Sequence, residues 1–337
     1  MSVETAKAIV LAGDCRGPEP WPGLGLGARQ LAPVANKPIL FHHLEALGSA
    51  GVREVAVITD VLTNASIRDA VGDGSGWGLD VRYVEHDGRD DPLASPELAG
   101  FLDGAPLLIQ HGDVLLRERT ATVWEEFCAG GLDALVLRLA PRSGIAGPVP
   151  TATAYVIGRN VQDALRGEAG SDPPRGLDDV LGRLRRSGAR IRSRDVEACM
   201  PCRGRAEVLL EANRWMLEHV EPGQLGERVI RSELQGLVAL HPSAEVRDSL
   251  IRGPVSIAAG ALISNAYVGP YTSIAAGVRI DGVEIEHSIV LGGAQIGFVG
   301  VRMQDCVIGV RAHVGRDFRL PQAMSLAIGE AAAVSLG

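Results

Sequence analysis

The phrase Ile-Ala-Ala-Gly occurs twice in the last third of the chain, as Ile257-Ala-Ala-Gly260 and Ile274-Ala-Ala-Gly277. Around both copies aliphatic residues recur at intervals of six, with one slip of a single residue, at positions Ile251, Ile257, Ile263, Val268, Ile274, Ile280, Ile308 and Val314. A helical period of about 3.6 residues does not fit this spacing. Short strands stacked in coils do, because each six-residue unit forms one face around an aliphatic axis. The repeat therefore predicts a β-helix.

The first hundred residues alternate strand and helix patterns instead. Lys7–Ala12 is a short apolar run that stops at Gly13, and Pro38 opens a helix with an apolar face. Further strand candidates are Val55–Ile58, Val81–Val84 and Pro106–Gln110. Such alternation indicates a mostly parallel sheet covered by helices on both faces, with ligands at the carboxyl ends of its strands. Gly13 and Asp113 both follow strand candidates, so both are candidate site residues.

An amphipathic helix over residues 205–220 closes this α/β region, since its apolar residues follow a helical spacing. They are Val208, Leu209, Ala212, Trp215 and Met216. We expect an α/β domain over 1–220, a linker over 221–238, the β-helix over 239–320 and a tail over 321–337.

The composition excludes several function classes. The chain has 337 residues, of which 46% are hydrophobic and 22% charged, with a formal net charge of −8. This acidic balance argues against nucleic acid or an anionic membrane as partner. No apolar run reaches the ~18 residues of a membrane span and no signal sequence is visible, so we expect a cytoplasmic protein. Of 33 basic residues only Lys7 and Lys37 are lysines.

Seven stretches along nearly the whole chain carry a family pattern, namely Ala6–Gly13, Gln30–Leu40, Val71–Leu79, Gly112–Asp113, Leu209–Arg214, Gly269–Ile274 and Glu286–Leu291. Together they resemble the sugar-1-phosphate nucleotidyltransferases, in particular the glucose-1-phosphate thymidylyltransferase-like group with a C-terminal left-handed β-helix. The resemblance implies a Rossmann-like nucleotidyltransferase domain before the β-helix. It also implies attack of a sugar phosphate on a nucleoside triphosphate, with Mg²⁺ and cationic side chains offsetting the phosphate charge.

Carried over position by position, the resemblance implies two sets of site residues. The catalytic candidates are Arg29 and Asp113, with Asp113 as the first Mg²⁺ ligand. The nucleotide-binding candidates are Gly13, Asp14, Gly17, Gln30 and His86.

Several of these positions depart from the family pattern. The family's loop Gly-Gly-x-Gly-Thr-Arg-Leu reads Gly13-Asp14-Cys15-Arg16-Gly17-Pro18-Glu19 here, which replaces a glycine by an anion and the arginine by Glu19. Arg29 stands at the family's catalytic lysine, and arginine lacks the compact point charge of lysine. Cys202 stands at the second metal carboxylate. The family's Glu-Lys-Pro, which holds the sugar phosphate, is missing between Leu115 and Tyr155.

A different chemistry is possible at the cysteines. The resemblance places Cys15 opposite Cys199-x-x-Cys202, with His86, His111 or Asp113 as a fourth zinc ligand. The competing interpretation is that small side chains fill a disused cleft. Zinc analysis of purified protein separates the two, because metal-free protein contradicts the first.

These observations leave three functional hypotheses. The first is a degenerate nucleotidyltransferase with a regulatory or ligand-binding role, acting as a homo-oligomer or as partner of an active paralogue. The second is an active enzyme with a remodelled site for a nucleotide or an unusual phosphate substrate. The third is metal chemistry at the cysteines. Acyl transfer at His287 or His313 has no supporting signal, and His287 belongs to a phrase of the nucleotidyltransferase group.

Overall fold

The computed structural model describes residues 6–13, 28–87, 91–139, 152–166, 176–199, 206–220 and 228–316. Within these residues six α-helices form: α1 (Ile39–Ser49), α2 (Asn64–Val71), α3 (Thr120–Gly130), α4 (Arg159–Arg166), α5 (Leu177–Arg186) and α6 (Ala206–Leu217). None of these described helices has the length and apolar character that crossing a membrane requires.

Eleven described strands precede the β-helix: β1 (Lys7–Leu11), β2 (Pro33–Val34), β3 (Lys37–Pro38), β4 (Glu54–Thr59), β5 (Asp80–Glu85), β6 (Leu107–His111), β7 (Leu115–Leu116), β8 (Ala134–Leu139), β9 (Ala152–Ile157), β10 (Ile191–Val196) and β11 (Ala198–Cys199). Seven of them form one sheet in the order β10-β8-β9-β6-β1-β4-β5. All neighbours are parallel except β9, which runs antiparallel to β6 and β8. The predicted α/β architecture with a largely parallel sheet is confirmed.

Helices cover this sheet on both faces, because its central strands are apolar on both sides. In β1 the buried side chains of Ala8 and Val10 join one core, which also holds Leu40 and Leu44 of α1. Ile9 points to the other core, which includes residues of α4 and α5. Fully burying one such aliphatic side chain stabilises the fold by roughly 1.5–3 kcal/mol, so the alternation fixes the register of the sheet.

The second region is a β-helix of sixteen described strands: β12 (Val229–Ile230), β13 (Glu233–Gln235), β14 (Val238–Leu240), β15 (Glu245–Arg247), β16 (Leu250–Arg252), β17 (Val255–Ile257), β18 (Leu262–Ser264), β19 (Tyr267–Val268), β20 (Thr272–Ile274), β21 (Arg279–Asp281), β22 (Glu284–Glu286), β23 (Ile289–Val290), β24 (Gln295–Gly297), β25 (Met303–Gln304), β26 (Val307–Ile308) and β27 (His313–Gly315). They stack into three parallel sheets, which begin with β12, β13 and β14.

The six-residue repeat corresponds to successive faces of this β-helix. Ile251, Ile257 and Ile263 lie on three different sheets and are all buried. In the next coil, Ile274 pairs with Ile257 and Ile280 with Ile263, a step of 17 residues. The single slip in the repeat therefore reflects a coil one residue shorter than three full units, and the predicted β-helix is confirmed.

The β-helix begins earlier than the predicted boundary at residue 239. Strands β12 and β13 fall within 221–238, the segment expected to be a linker, so its described part from residue 228 already forms a coil. Glu233 and Gln235 of β13 are exposed, and only Leu234 between them packs against the β-helix core. The aliphatic repeat nevertheless continues into this first coil, where Val229, Leu234 and Leu240 pair with Val246, Ile251 and Ile257 of the next coil.

Helix α6 packs between the two regions. Its residues Leu209, Leu210 and Ala212 share a buried cluster with Ala32, Val34 and Ile39 of the α/β region and with Ile289 and Leu291 of the β-helix. The predicted apolar stripe of α6 is therefore only part of its buried surface, since the helix contacts partners on more than one side.

Candidate functional site

The strand order brings the predicted site residues to one edge of the sheet. His86 follows β5, Gly13 lies just beyond β1, and Asp113 comes two residues after β6. Backbone hydrogen bonds continue past the strand ends, from His86 N to Thr59 O at 2.8 Å and from Gly112 N to Leu11 O at 2.8 Å. Carboxyl ends of neighbouring parallel strands form the ligand-binding crevice of such sheets.

Gly13 occupies a position that only glycine fits. A Cβ atom there would lie 2.5 Å from the backbone nitrogen of Asp60 and 2.5 Å from the carbonyl carbon of Thr59. Both atoms are backbone, so no side-chain movement would relieve the clash. The backbone at Gly13, just beyond β1, therefore lies directly against the end of β4.

Arg29 and Gln30 lie on a short 3₁₀ turn, Arg29–Leu31, that packs against α1. Gln30 is buried, and the preceding Ala28 belongs to the same apolar cluster as Ala12 and Val114. Ala12 and Val114 precede Gly13 and follow Asp113 in the sequence, so the turn shares one apolar core with the residues next to both.

Asp113 is buried with an exposed fraction of 5%, and a histidine lies close to it from α1. Burial, with a smaller effect from the charge of His42, lowers the pKa of His43 to about 4, and the Asp113 carboxylate opposes this shift. His43 is therefore neutral at pH 7 and adds no positive charge to the edge. We did not predict His43 from the sequence, because α1 shows only its apolar face in the pattern.

A small cavity of about 240 Å³ adjoins His43. Gln110 of β6 and Met216 of α6 also line it. Within the described residues, the Nε2 atoms of His43 and Gln110 have no hydrogen-bond partner. Two buried polar groups without a hydrogen-bond partner among the described residues therefore line this cavity.

Both lysines of the chain form ion pairs with acidic side chains. Lys7 stands at the amino end of β1, where its Nζ contacts Asp103 at 2.8 Å and Glu54 at 3.4 Å. Lys37 of β3 forms an ion pair with Glu45 of α1. Both lysine ammonium groups are therefore paired with carboxylates.

The cysteine hypothesis remains a prediction. Asp14, Cys15, Gly17 and Cys202 all lie outside the described residues. The backbone of Cys199 in β11 pairs with Leu115 of β7, two residues after Asp113. In the described part of the chain, no group of three or more histidine, cysteine or acidic residues could hold a metal ion.

Comparisons with known proteins agree with this architecture. A glucose-1-phosphate thymidylyltransferase from Streptomyces griseus is 34% identical over 358 aligned residues, covering 96% of this chain and 98% of that protein. Another from Streptomyces antibioticus is 30% identical, covering 98% and 99%. The low-salt glycan biosynthesis nucleotidyltransferase Agl11 from Haloferax volcanii is 32% identical, covering 96% and 98%. No protein-family model matches the chain.

A solved structure shows the same fold at lower identity. It is a Bacillus anthracis chain assigned as a glucose-1-phosphate thymidylyltransferase and solved with sucrose, with a TM-score of 0.51 and 17% identity. The match covers 65% of this chain and 98% of that one.

The seven-stranded sheet and the β-helix give the architecture of an α/β nucleotidyltransferase domain joined to a solenoid. The two Streptomyces relatives, which align over 98% and 99% of their own length at 34% and 30% identity, then identify the family within this class. The chain belongs to the glucose-1-phosphate thymidylyltransferase family of sugar-1-phosphate nucleotidyltransferases, so the predicted resemblance is confirmed.

Proposed function

We propose that this protein is a degenerate member of its family that binds a nucleotide or sugar phosphate and performs little standard nucleotidyl transfer. Its role is regulatory or ligand-binding, linked to nucleotide-sugar or secondary metabolism, as a homo-oligomer or as partner of an active paralogue. The placement of the two lysines carries the proposal. Lys7 is paired at the opposite edge of the sheet and Lys37 pairs with Glu45, so neither supplies the catalytic ammonium.

The energetics support low activity. Nucleotidyl transfer builds charge on phosphoryl oxygens, and removing one stabilising contact typically costs about 3 kcal/mol, or roughly a hundredfold in rate. The chain departs from the family at the lysine replaced by Arg29, at the loop position of Glu19, and at the carboxylate position of Cys202. The effects of residues that act together are not additive, so the loss is not a simple product.

Ligand binding is supported by what the edge retains. Asp113 is a buried carboxylate at a strand end, and Arg29 supplies a planar cation suited to phosphate oxygens. One carboxylate fits a Mg²⁺ ion that is shared with bound phosphates, since Mg²⁺ is commonly held by one or two carboxylates plus phosphate oxygens. Asp113 would hold such an ion, which would offset phosphate charge.

Pyrophosphate release tests the proposal directly. The full-length protein is incubated with Mg²⁺, each nucleoside triphosphate including dTTP, and a panel of sugar 1-phosphates. We expect turnover at least about a hundredfold below the median enzyme value of ~10 s⁻¹. Turnover near that median, abolished in Asp113→Ala and unchanged in the control Asp163→Asn on α4, would refute the degenerate interpretation and establish the remodelled enzyme.

A thermal-shift titration tests binding separately. We expect Mg²⁺ with a nucleotide or sugar phosphate to raise the melting temperature, because a ligand that binds only the folded state stabilises it. Asp113→Asn should reduce the shift, whereas Asp163→Asn should leave it unchanged. If no compound of the panel shifts the wild-type protein, the ligand-binding role is wrong.

A further inference from the structure

The turn that carries Arg29 and Gln30 leads directly into a small hairpin that reaches the β-helix. Strands β2 and β3 pair with Val34 opposite Lys37, and the two residues between them, Ala35 and Asn36, have positive φ angles of 50° and 64°. Two consecutive left-handed residues close a tight two-residue hairpin, where asparagine is favoured. The hairpin tip therefore presents the Asn36 side chain outward from the α/β region.

Asn36 binds two neighbouring coils of the β-helix. Its Nδ2 atom lies 3.0 Å from three acceptors, which are the carbonyl oxygen of Ser256, the hydroxyl oxygen of Ser256 and the carbonyl oxygen of Ile274. Ser256 lies in β17 and Ile274 in β20, and these strands are hydrogen-bonded neighbours. One amide group thus ties the hairpin to a stacked and rigid part of the solenoid.

A second asparagine completes the connection from α6. Asn213 is fully buried; its Oδ1 accepts a hydrogen bond from Ala35 N at 2.8 Å, and its Nδ2 donates to Tyr271 O at 3.1 Å. An amide side chain can accept from one region and donate to the other in this way, whereas an ionised carboxylate of the same shape has no hydrogen to donate. A buried amide with both groups satisfied also holds its neighbours in one arrangement.

The hairpin is in turn continuous with the candidate site. Ala32 N donates to Arg29 O at 3.0 Å, and Ile39 N donates to Ala32 O at 3.0 Å, so the turn and the hairpin base are hydrogen-bonded together. Ala32, Val34 and Ile39 are buried in the cluster shared with α6 and the β-helix. Movement of the hairpin tip would therefore be transmitted to the Arg29–Leu31 turn.

We infer that Asn36 and Asn213 are positioning residues through which the β-helix holds the Arg29–Leu31 turn in place for ligand binding. The inference deepens the proposed function and rests on it where ligand affinity is concerned. It assigns to the solenoid a direct part in ordering the candidate site, which is a role beyond packing.

The test uses Asn36→Gly, Asn36→Asp and a matched control. Glycine keeps the left-handed backbone without strain and removes only the amide. Aspartate keeps the shape of the side chain but replaces the Nδ2 donor by an oxygen, which would face the two Ser256 oxygens and the Ile274 carbonyl oxygen. Asn265→Gly is the control, since Asn265 also has a positive φ, 49°, and its Nδ2 donates to Asp281 in the β-helix at 2.9 Å.

Amide hydrogen exchange on the ligand-free full chain is measured first. We expect exchange to be at least about tenfold faster in Asn36→Gly, and faster still in Asn36→Asp, at the amides of Leu31, Ala32, Ala35 and Ile39. Amides of β1 and β4, and all amides of the α/β region in Asn265→Gly, should exchange as in the wild-type protein. Unchanged exchange at the hairpin in Asn36→Asp would overturn the inference, whether or not any nucleotide binds.

Affinity for dTTP with Mg²⁺ is measured second. We expect the Kd to rise at least about fivefold in Asn36→Gly and to stay within twofold of wild type in Asn265→Gly. Faster exchange with an unchanged Kd would limit Asn36 to a structural role and overturn the positioning claim. A wild-type protein that binds no dTTP would count against nucleotide binding in the proposed function, and the exchange result alone would then decide whether the asparagines hold the turn.

Discussion

At the scale of single residues, the candidate edge places a buried carboxylate, Asp113, near a neutral histidine, His43. Asp113 is buried at the end of β6, as its position after a strand predicts. The group that accompanies it is His43, which burial keeps neutral, with a pKa of about 4. A neutral imidazole offers hydrogen bonding without charge, so cationic stabilisation at this edge must come from elsewhere.

The depressed pKa of His43 predicts a stability that depends on pH. The folded-state pKa of about 4 lies below the ordinary value of 6.5. Between these values the unfolded chain binds a proton that the folded chain does not, so stability falls as the pH falls from 6.5 towards 4. Over this pH range, the shifted pKa of His43 lowers the free energy of unfolding by about 3 kcal/mol.

The variant His43→Leu has no group to protonate at this position. Its unfolding free energy should therefore decline less steeply between pH 6.5 and 4. The measurement is urea unfolding at several pH values. Replacing the exposed His241 of the β-helix by asparagine should leave the wild-type profile unchanged. A wild-type slope retained in His43→Leu would mean that the other titrating groups set the acid stability.

At the scale of elements, Arg194 connects the edge strand β10 to α3 through ion pairs. Arg194 forms a two-point ion pair with Glu118, with Nη1 at 2.6 Å from Oε1, and its Nε atom donates to Glu126 of α3 at 2.8 Å. Its side chain is 28% exposed. Paired hydrogen bonds from one planar guanidinium are stronger than single surface ion pairs, because both partners are fixed in geometry.

We expect Arg194→Ala to destabilise the protein by about 1–3 kcal/mol, since it removes charged hydrogen bonds at a partly buried position. Arg192→Ala is the matched control from the same strand, because Arg192 is 52% exposed and meets Glu126 at 3.4 Å. Exposed pairs of that kind contribute about 0–1 kcal/mol. Chemical denaturation of both variants measures the difference, and equal losses would show that the pairing with Glu118 adds nothing.

Elements with a strong periodic signal could be predicted from the sequence, and their bounds differ by few residues. The apolar run at Lys7–Ala12 became β1, and the helix after Pro38 begins at Ile39. The β-helix was predictable because its axis demands an aliphatic residue on each face. Its first coil carries aliphatic residues at the same stacking positions, such as Leu234 opposite Ile251, and was therefore predictable on the same grounds.

The candidate site could be predicted only in part. Gly13 and Asp113 follow strands, so a pattern of strands is sufficient to place them at one edge. His43, Asn36 and Asn213 act through contacts between elements far apart in the sequence, and no local period indicates such contacts. The phrase Leu209–Arg214 marked the segment that contains Asn213, but the role of that side chain depends on the fold.

At the scale of the whole molecule, α6 links the two regions into one packed body. Leu209 is fully buried in the cluster that joins Ala32 and Val34 of the α/β region to Ile289 of the β-helix. Because this cluster belongs to both regions, unfolding either one exposes apolar surface of the other. We therefore expect the wild-type protein to unfold in a single calorimetric transition despite its two architectures.

The variant Leu209→Ala tests this coupling. Truncating a fully buried leucine typically costs 2–5 kcal/mol, through lost burial and the cavity left behind, so we expect a loss of about 3 kcal/mol. The loss should lower the melting of the α/β helices and of the β-helix together, as followed by hydrogen exchange in each region. Leu262→Ala is the control, since Leu262 lies on the β-helix with 39% of its surface exposed and should cost below about 1 kcal/mol. Two separate transitions in the wild-type protein, or a loss confined to one region in Leu209→Ala, would show that α6 connects the regions without coupling their stability.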